Sequence, residues 1–240
     1  MNDTPILSHY LNAIEPENKF YINVGASYEF NLDRQMVAES DKTIFFEYNL
    51  DKIYNYGDLG PNFKLITERV TPHNLVGLIE GETARKDPKL LDIDIDGYDW
   101  FVVEEFLKKF RPTIILAEIN EKIPPPIKFT VKYSDDYAWN TSHFYGASLE
   151  KYAELFEKND YEMINLTYNN VYAVAREKNI GLQTYNPTEL FDKFYRNTDR
   201  ANYFGHNHNV NCWLDMPTDE AVKSIRSYFG DREGQFELEC

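Results

Sequence analysis

Short apolar runs alternate with polar, helix-like segments over the first 120 residues, and this alternation limits the fold more than any other feature of the sequence. The apolar runs are FYINV at 20–24, TIFFE at 43–47, FKLIT at 63–67, LLDIDI at 90–95 and TIILAEI at 113–119. Each run has the length of one strand and is nearly all apolar, which is typical of strands covered on both faces. The sequence therefore predicts an α/β fold whose sheet is mostly parallel, with helices on both faces.

The last two predicted strands must run antiparallel to each other. They are YEMINLT at 161–167 and VYAVARE at 171–177, and three residues separate them. A parallel crossover needs about a dozen residues or more, so this pair forms a terminal β-hairpin. A parallel sheet with one reversed strand near its end is the layout of Rossmann-like class I methyltransferases.

The same pattern predicts how the chain is divided. Residues 1–180 are expected to form one α/β domain, within which residues 120–146 are an insertion rich in proline and aromatic side chains. We expect this insertion to lie over the mouth of the site. No flexible linker precedes residues 181–240, which predicts a helical extension packed on the same domain.

Charge and cysteine content exclude several classes of partner. The 240 residues carry a formal net charge of −15, spread along the chain, which argues against nucleic acid or an anionic membrane surface as partner. Two cysteines cannot build a disulfide framework. The N-terminal residues lack signal-peptide features, and no apolar stretch is long enough to cross a bilayer. A cytoplasmic protein is expected.

Two residues at predicted strand ends point to a nucleoside ligand. Gly25 directly follows the first strand, and Glu47 ends the second. Ligands of open α/β sheets bind beyond the carboxyl ends of the strands, where a glycine allows close backbone approach and an acid can accept both hydroxyls of a ribose. The sequence after Gly25 lacks the G-x-G-x-x-G of a dinucleotide site, which disfavours NAD.

The fourth and fifth predicted strands end in a set of oxygen-bearing side chains. Asp92, Asp94 and Asp96 alternate with apolar residues, and Glu118 and Asn120 follow on the neighbouring strand. Asp92 is interpreted as a structural hydrogen-bonding residue. The other four predict either a site for Mg²⁺, Mn²⁺ or Ca²⁺, or a hydrogen-bonded cluster that orients a substrate.

The histidines give one candidate base. His143 lies in the aromatic-rich insertion, where an imidazole can remove a hydroxyl proton from an acceptor. The aromatic side chains around it suit a sugar or another small polar acceptor, although they fit a packing loop equally well. His206 and His208 lie two residues apart in a predicted loop, and we interpret them as solvated rather than as a zinc pair.

With these motifs in place, the sequence resembles class I S-adenosylmethionine-dependent methyltransferases, and among them the FkbM-type group and related methyltransferase-like bacterial proteins. The fourth-strand motif of the FkbM-type group is matched by Ile93-Asp94-Ile95-Asp96-Gly97. Residues 70–74, 117–120 and 139–148 resemble stretches of the related bacterial proteins. The resemblance covers about residues 18–178 and leaves out the last sixty.

The resemblance implies roles for the strand-end residues. The loop at Gly25 would hold the methionine part of S-adenosylmethionine, Glu47 its ribose, and Asp94 and Asp96 would face the sulfonium and the acceptor, with His143 as the base. The cofactor contacts implied in this way are Asn23, Gly25, Ala26, Ser27, Glu47 and Asp94. The chain departs from many members of the family at Ala26-Ser27, because a second glycine is usual there.

The expected activity is methyl transfer to an oxygen, rather than a nitrogen, of a small polar acceptor such as a sugar or a capsule or glycan precursor. If the acids at the strand ends hold a metal, Mg²⁺ or Mn²⁺ would be a second cofactor. One alternative is a metal-dependent nucleotide-sugar glycosyltransferase that uses Asp92-Ile-Asp94 or Asp94-Ile-Asp96 as its D-x-D motif. The other is a non-catalytic partner subunit with this fold. In that case residues 184–213 would form an interface and the chain a homodimer.

Overall fold

The computed structural model describes residues 4–26, 32, 34–49, 51–52, 59–199 and 205–240. The chain divides into two units, each of which is discontinuous in sequence. The first consists of residues 1–95, 102–117 and 174–181, and the second of residues 96–101, 118–173 and 182–240. The division into residues 1–180 and 181–240 remains a prediction.

The regular elements agree with most of the predicted runs. The strands in the described ranges are β1 (Phe20–Val24), β2 (Lys42–Phe46), β3 (Phe63–Ile66), β4 (Leu90–Ile93), β5 (Ile114–Glu118), β6 (Lys128–Val131), β7 (Tyr161–Thr167), β8 (Asn170–Ala175) and β9 (Phe236–Glu239). The α-helices there are α1 (Thr4–Ala13), α2 (Arg34–Ala38), α3 (Leu75–Glu82), α4 (Asp99–Leu107), α5 (Leu149–Lys158), α6 (Pro187–Phe191) and α7 (Thr218–Tyr228).

Seven strands form one sheet in the order β3-β2-β1-β4-β5-β8-β7. The pairs β1–β2, β1–β4, β2–β3 and β4–β5 are parallel. Strand β8 runs antiparallel to β5, because Ile119 N bonds to Asn169 O at one end while Ala175 N bonds to Thr113 O at the other. This arrangement confirms the predicted Rossmann-like α/β fold, in which a mostly parallel sheet carries an antiparallel strand near its end.

Burial along the central strands explains why they read as unbroken apolar runs. Every residue of β1, β4 and β5 is buried, although successive side chains of a strand point to opposite faces. Both faces of these strands are therefore covered, as their composition predicts. Helix α5 begins at a serine N-cap, Ser148, whose side chain accepts a hydrogen bond from the Lys151 amide.

The second unit contains a small sheet that the sequence did not predict. Strand β6, inside the proline-rich insertion, pairs antiparallel with β9, inside the extension that was expected to be helical. The pair packs with helix α7 in a buried cluster that includes Phe129, Phe144 and Phe229. Strands β6 and β9 lie about a hundred residues apart in sequence, so no local sequence pattern predicts that they pair. No helix in the described ranges is long and apolar enough to cross a membrane.

A buried lysine of the first unit lies directly before β4. Lys89 is 1% exposed, and its Nζ donates to the backbone carbonyl of Glu15 at 2.7 Å. The Glu15 carboxylate accepts from Thr113 Oγ1 at 2.6 Å and pairs with Lys178. Burial lowers the pKa of Lys89 to about 8, against a smaller raising effect of Glu15.

The contribution of Lys89 to the stability of the protein should therefore rise between about pH 8 and about pH 10. A lysine of the unfolded chain keeps its proton up to pH ~10.4, so the unfolded state holds more protons at this position than the folded state in that interval. Relative to Lys89→Met, which cannot titrate, the wild-type free energy of unfolding should gain about 1–3 kcal/mol over this range, as measured by urea unfolding.

Lys223→Met is the matched control, because the Lys223 side chain is 80% exposed. Its free energy of unfolding should follow that of the wild type at every pH. Parallel curves for the wild type and Lys89→Met would show that Lys89 titrates normally in the folded chain.

Candidate active site

The ends of β1 and β4 meet at the point where the strand order changes direction. Ligands of open α/β sheets bind at such a switch point. Gly25, directly after β1, has φ +87°, and a Cβ added to it would lie 1.7 Å from the carbonyl oxygen of Asp94. The amides of Gly25 and Ala26 both donate to Phe46 O, at 3.0 and 3.1 Å. Gly25 is thus required because the backbone that follows β4 lies against it. From the sequence, the glycine was expected to let the backbone approach a ligand.

Glu47 is fixed at the end of β2. The side chain is buried, and its Oε1 accepts from the Asn49 amide at 2.7 Å. Its own amide donates to Ile66 O at 3.2 Å. The carboxylate is therefore held at the carboxyl edge of the first unit, where the sequence placed it. Ser27, predicted to contact the cofactor, lies outside the described residues.

Asn23 is engaged within the sheet. It lies opposite Asp92 in the β1–β4 register, and its Nδ2 donates to Asp92 Oδ2. Its Oδ1 is buried and has no hydrogen-bond partner among the described residues. The structure thus supports the interpretation of Asp92 as a structural residue. It leaves Asn23 with one carbonyl oxygen for the predicted contact to a cofactor.

Two of the predicted carboxylates come together within the second unit. Asp96 and Glu118 each offer one oxygen, and these two oxygens lie within 4.8 Å of each other. Asp94 belongs to the first unit. Glu118 is 5% exposed, and its Oε1 accepts from Asn169 Nδ2 at 2.8 Å. Oxygen ligands at this spacing suit a divalent cation, but carboxylates also cluster without one. A metal at this position stays a prediction.

The Asn120 side chain was predicted to bind a metal or a substrate, but its amide group bonds to the backbone of the insertion. The side chain is fully buried, and its Nδ2 donates to the backbone carbonyls of His143 and Tyr145, at 3.0 and 2.9 Å. The amide is therefore committed to holding the insertion. One carbonyl oxygen is left for the metal ligation that the sequence suggested.

His143 lies among residues of the C-terminal segment. Its Nε2 is 3.0 Å from Asn209 Oδ1, and its ring lies nearly parallel to that of His206, with centroids 6.0 Å apart. Burial lowers the pKa of His143, and Lys122 and His206 act in the same direction, against the raising effect of Asn209. A neutral imidazole can act as a base, but the charged groups that act on His143 are Lys122, His206 and Glu121 rather than Asp96 or Glu118.

Tyr137 and Asp99 were not among the predicted site residues. Burial raises the pKa of Tyr137, and the carboxylates of Asp99, Asp96 and Glu118 raise it further. The Tyr137 hydroxyl donates to Phe144 O at 2.8 Å, and its ring makes an edge contact with that of Tyr98. The rings of Tyr137 and Tyr98 thus lie near the carboxylates of the second unit. In the sequence, the run Asp96-Gly-Tyr-Asp99 and the aromatic content of the insertion were the signs of this arrangement.

Comparison with known proteins shows resemblance at the level of solved structures. No family model matches the sequence. No curated protein matches it either. Magnesium protoporphyrin IX methyltransferase (ChlM) of Synechocystis PCC 6803, solved with bound SAM, aligns with TM-score 0.44 and 8% identity over 71% of this chain and 77% of that one.

Two further structures align in a similar way. DesVI of Streptomyces venezuelae has TM-score 0.44 and 11% identity over 72% of this chain and 90% of its own. A Streptococcus thermophilus protein that carries the provisional name hemolysin has TM-score 0.45 and 9% identity over 85% of this chain and 74% of its own. With identities and scores this low, the chemistry of the site rests on the residues of this chain.

The close approach at Gly25 can be tested against a second left-handed glycine. Gly60 has φ +93° and no atom within 4 Å of an added Cβ. Gly60→Ala should therefore cost about 1–2 kcal/mol of unfolding free energy, the strain of a left-handed alanine. Gly25→Ala adds the clash with Asp94 O and should cost more than about 4 kcal/mol in urea unfolding, or prevent folding. Equal losses in the two variants would mean that β1 and β4 do not approach in this way.

Proposed function

We propose that the protein is an S-adenosylmethionine-dependent methyltransferase. The observation that carries the proposal is the arrangement at the β1–β4 switch point, where Gly25 packs on the Asp94 backbone and Glu47 is held at the end of the neighbouring strand. A buried acid at the end of the second strand is the residue type that binds ribose hydroxyls in nucleoside sites. The sheet order supports the same proposal.

The residues present fit the cofactor in part. Glu47 would bind the ribose, the backbone at Gly25 and Ala26 would border the methionine part, and Asp94 would face the positive sulfonium. S-Adenosylmethionine, when bound, supplies an electrophilic methyl group. Asp94 O occupies the space beside the Gly25 Cα. We therefore assign Gly25 to shaping the loop rather than to direct contact with the cofactor.

The acceptor would lie beside the acids of the second unit. Asp96 and Glu118 would orient its hydroxyl and take up the proton, while Tyr137 and Tyr98 line its path. Carboxylates are favoured over His143 for this role because the His143 ring is engaged by Asn209 and stacked on His206. We propose an oxygen of a small polar molecule, such as a sugar or glycan precursor, as the methyl acceptor.

The remaining features are proposed with the activity. They are a cytoplasmic location, a homodimer, a small-molecule acceptor rather than nucleic acid, and Mg²⁺ or Mn²⁺ at Asp94, Asp96 and Glu118. The net charge of −15 supports the exclusion of nucleic acid. Light scattering of the purified chain measures its mass and decides between monomer and dimer.

Titration calorimetry with S-adenosylmethionine and S-adenosylhomocysteine tests the proposal. We expect the wild type to bind both, and Glu47→Gln to bind them at least about tenfold more weakly, because the ribose would lose a charged acceptor. Glu80→Gln is the control, since that side chain is 47% exposed and pairs with Lys86. It should bind like the wild type.

The same titrations with and without Mg²⁺ or Mn²⁺ separate the alternatives. Binding of UDP or GDP with Mn²⁺, in the absence of any binding of S-adenosylhomocysteine, would replace the methyltransferase with a glycosyltransferase. Absence of binding to all of these ligands would favour the non-catalytic subunit.

A further inference from the structure

Four polar side chains form a buried cluster within the second unit. Glu121 and Lys122, 1% and 2% exposed, are joined by Tyr145 and by Asn207 of the C-terminal segment. Lys122 Nζ lies 3.0 Å from Glu121 Oε1, and the Tyr145 hydroxyl lies 2.6 Å from Lys122 Nζ and 2.7 Å from Glu121 Oε2. Asn207 Nδ2 donates to Glu121 Oε1 at 2.7 Å. We call these four residues the buried cluster.

Such a cluster is a poor source of stability. Removing two charges from water costs several kcal/mol per ion, so replacing a buried ion pair with apolar groups of similar size often leaves a protein as stable or more so. Asn207 Oδ1 is also buried without a hydrogen-bond partner in the described part of the chain. What the buried cluster does supply is fixed geometry.

That geometry converges on one peptide plane. Tyr145 is held at its hydroxyl by Glu121 and Lys122, and at its carbonyl by Asn120 Nδ2, 2.9 Å away. The next amide of the same peptide belongs to Gly146, and it donates to Gly97 O at 2.7 Å. Both polar groups of the Tyr145–Gly146 peptide are therefore engaged.

Gly97 connects this peptide to the candidate site. It directly follows Asp96, whose φ of +54° is left-handed, and its own amide donates to Asp99 Oδ2 at 2.9 Å. A left-handed residue that is not glycine persists where its surroundings hold it. The bond from Gly146 to Gly97 is one such restraint, and it acts on the residue that directly follows Asp96.

We propose that the buried cluster positions Asp96 for the acceptor, and that Asn207 is a positioning residue supplied by the last sixty residues of the sequence. This inference rests on the proposed methyltransferase function. It gives the C-terminal segment a defined role, because Asn207 fixes the Glu121 carboxylate that fixes Tyr145. Asn207 acts through these residues and does not touch the acceptor.

Two variants separate positioning from stability. Asn207→Leu keeps the size of the side chain and removes its hydrogen bonds, and the double variant Glu121→Met, Lys122→Met replaces the ion pair with apolar groups. Leu214→Ala is the matched control. It removes packing from the same segment, at a side chain that is 4% exposed, and leaves the buried cluster intact.

Amide hydrogen exchange measures how firmly the Gly146 amide is held against Gly97 O, and it needs no enzyme activity. We expect the Gly146 amide to exchange at least about tenfold faster in Asn207→Leu and in the double variant than in the wild type, because its carrier peptide is no longer fixed. Leu214→Ala should lower the melting temperature and leave this exchange unchanged relative to neighbouring amides. Unchanged Gly146 exchange in both cluster variants would overturn the proposal.

Ligand binding reads the position of Asp96. The probes are S-adenosylhomocysteine and sinefungin, an analogue with an ammonium group in place of the methylsulfonium. The wild type should bind sinefungin more tightly, because its ammonium takes the place of the methyl group that is directed toward the acceptor and Asp96. Asp96→Asn should weaken that preference, and Asn207→Leu should reduce it by about threefold or more. Faster Gly146 exchange with an unchanged preference would overturn the positioning role. Binding of neither probe by the wild type would instead refute the methyltransferase, and exchange alone would then decide whether the peptide is clamped.

Discussion

The contact between the backbones of Gly25 and Asp94 is the constraint on which the candidate site depends. A side chain at position 25 would occupy the place of the Asp94 carbonyl, so the ends of β1 and β4 can meet only through a glycine. This contact brings the two strand ends together at the switch point and fixes the position of Asp94, which directly follows β4. Glu47 reaches the same edge because β2 pairs with β1 in a parallel register. One small residue thus fixes the geometry of the first unit's acids.

Much of the fold could be predicted, since each central strand carries its own signal. Strands such as β1 and β7 coincide with their predicted runs, because burial on both faces leaves a short apolar stretch bounded by polar residues. Strand β6 could not be found in this way. Its pattern is short, it lies after three prolines, and it exists because β9 pairs with it. A pairing between distant segments leaves no local periodicity.

For the candidate site too, the sequence suggested individual residues but did not show which of them contact one another. Asp94, Asp96 and Glu118 were selected as site residues because acids at the ends of buried strands are costly unless something satisfies them, and their role stays a prediction. The family resemblance assigned Asn23 to the cofactor, and the strand-end position of Asn120 assigned it to a metal, but both amides bond within the protein. His143 was chosen for its chemistry and its place in the insertion. Which titratable group faces which depends on the packing of the insertion and the extension, which the sequence does not reveal.

The pairing of β6 with β9 has a consequence for how the chain is made. Strands β1 to β5 can pair with one another as soon as residue 118 has emerged from the ribosome, since all five lie within that part of the chain. Strand β6 must wait for residues 236–239, and its hydrophobic face stays uncovered in the meantime. Contacts of such wide sequence separation form slowly and leave aggregation-prone intermediates. The second unit is therefore where nascent chains would depend most on chaperones.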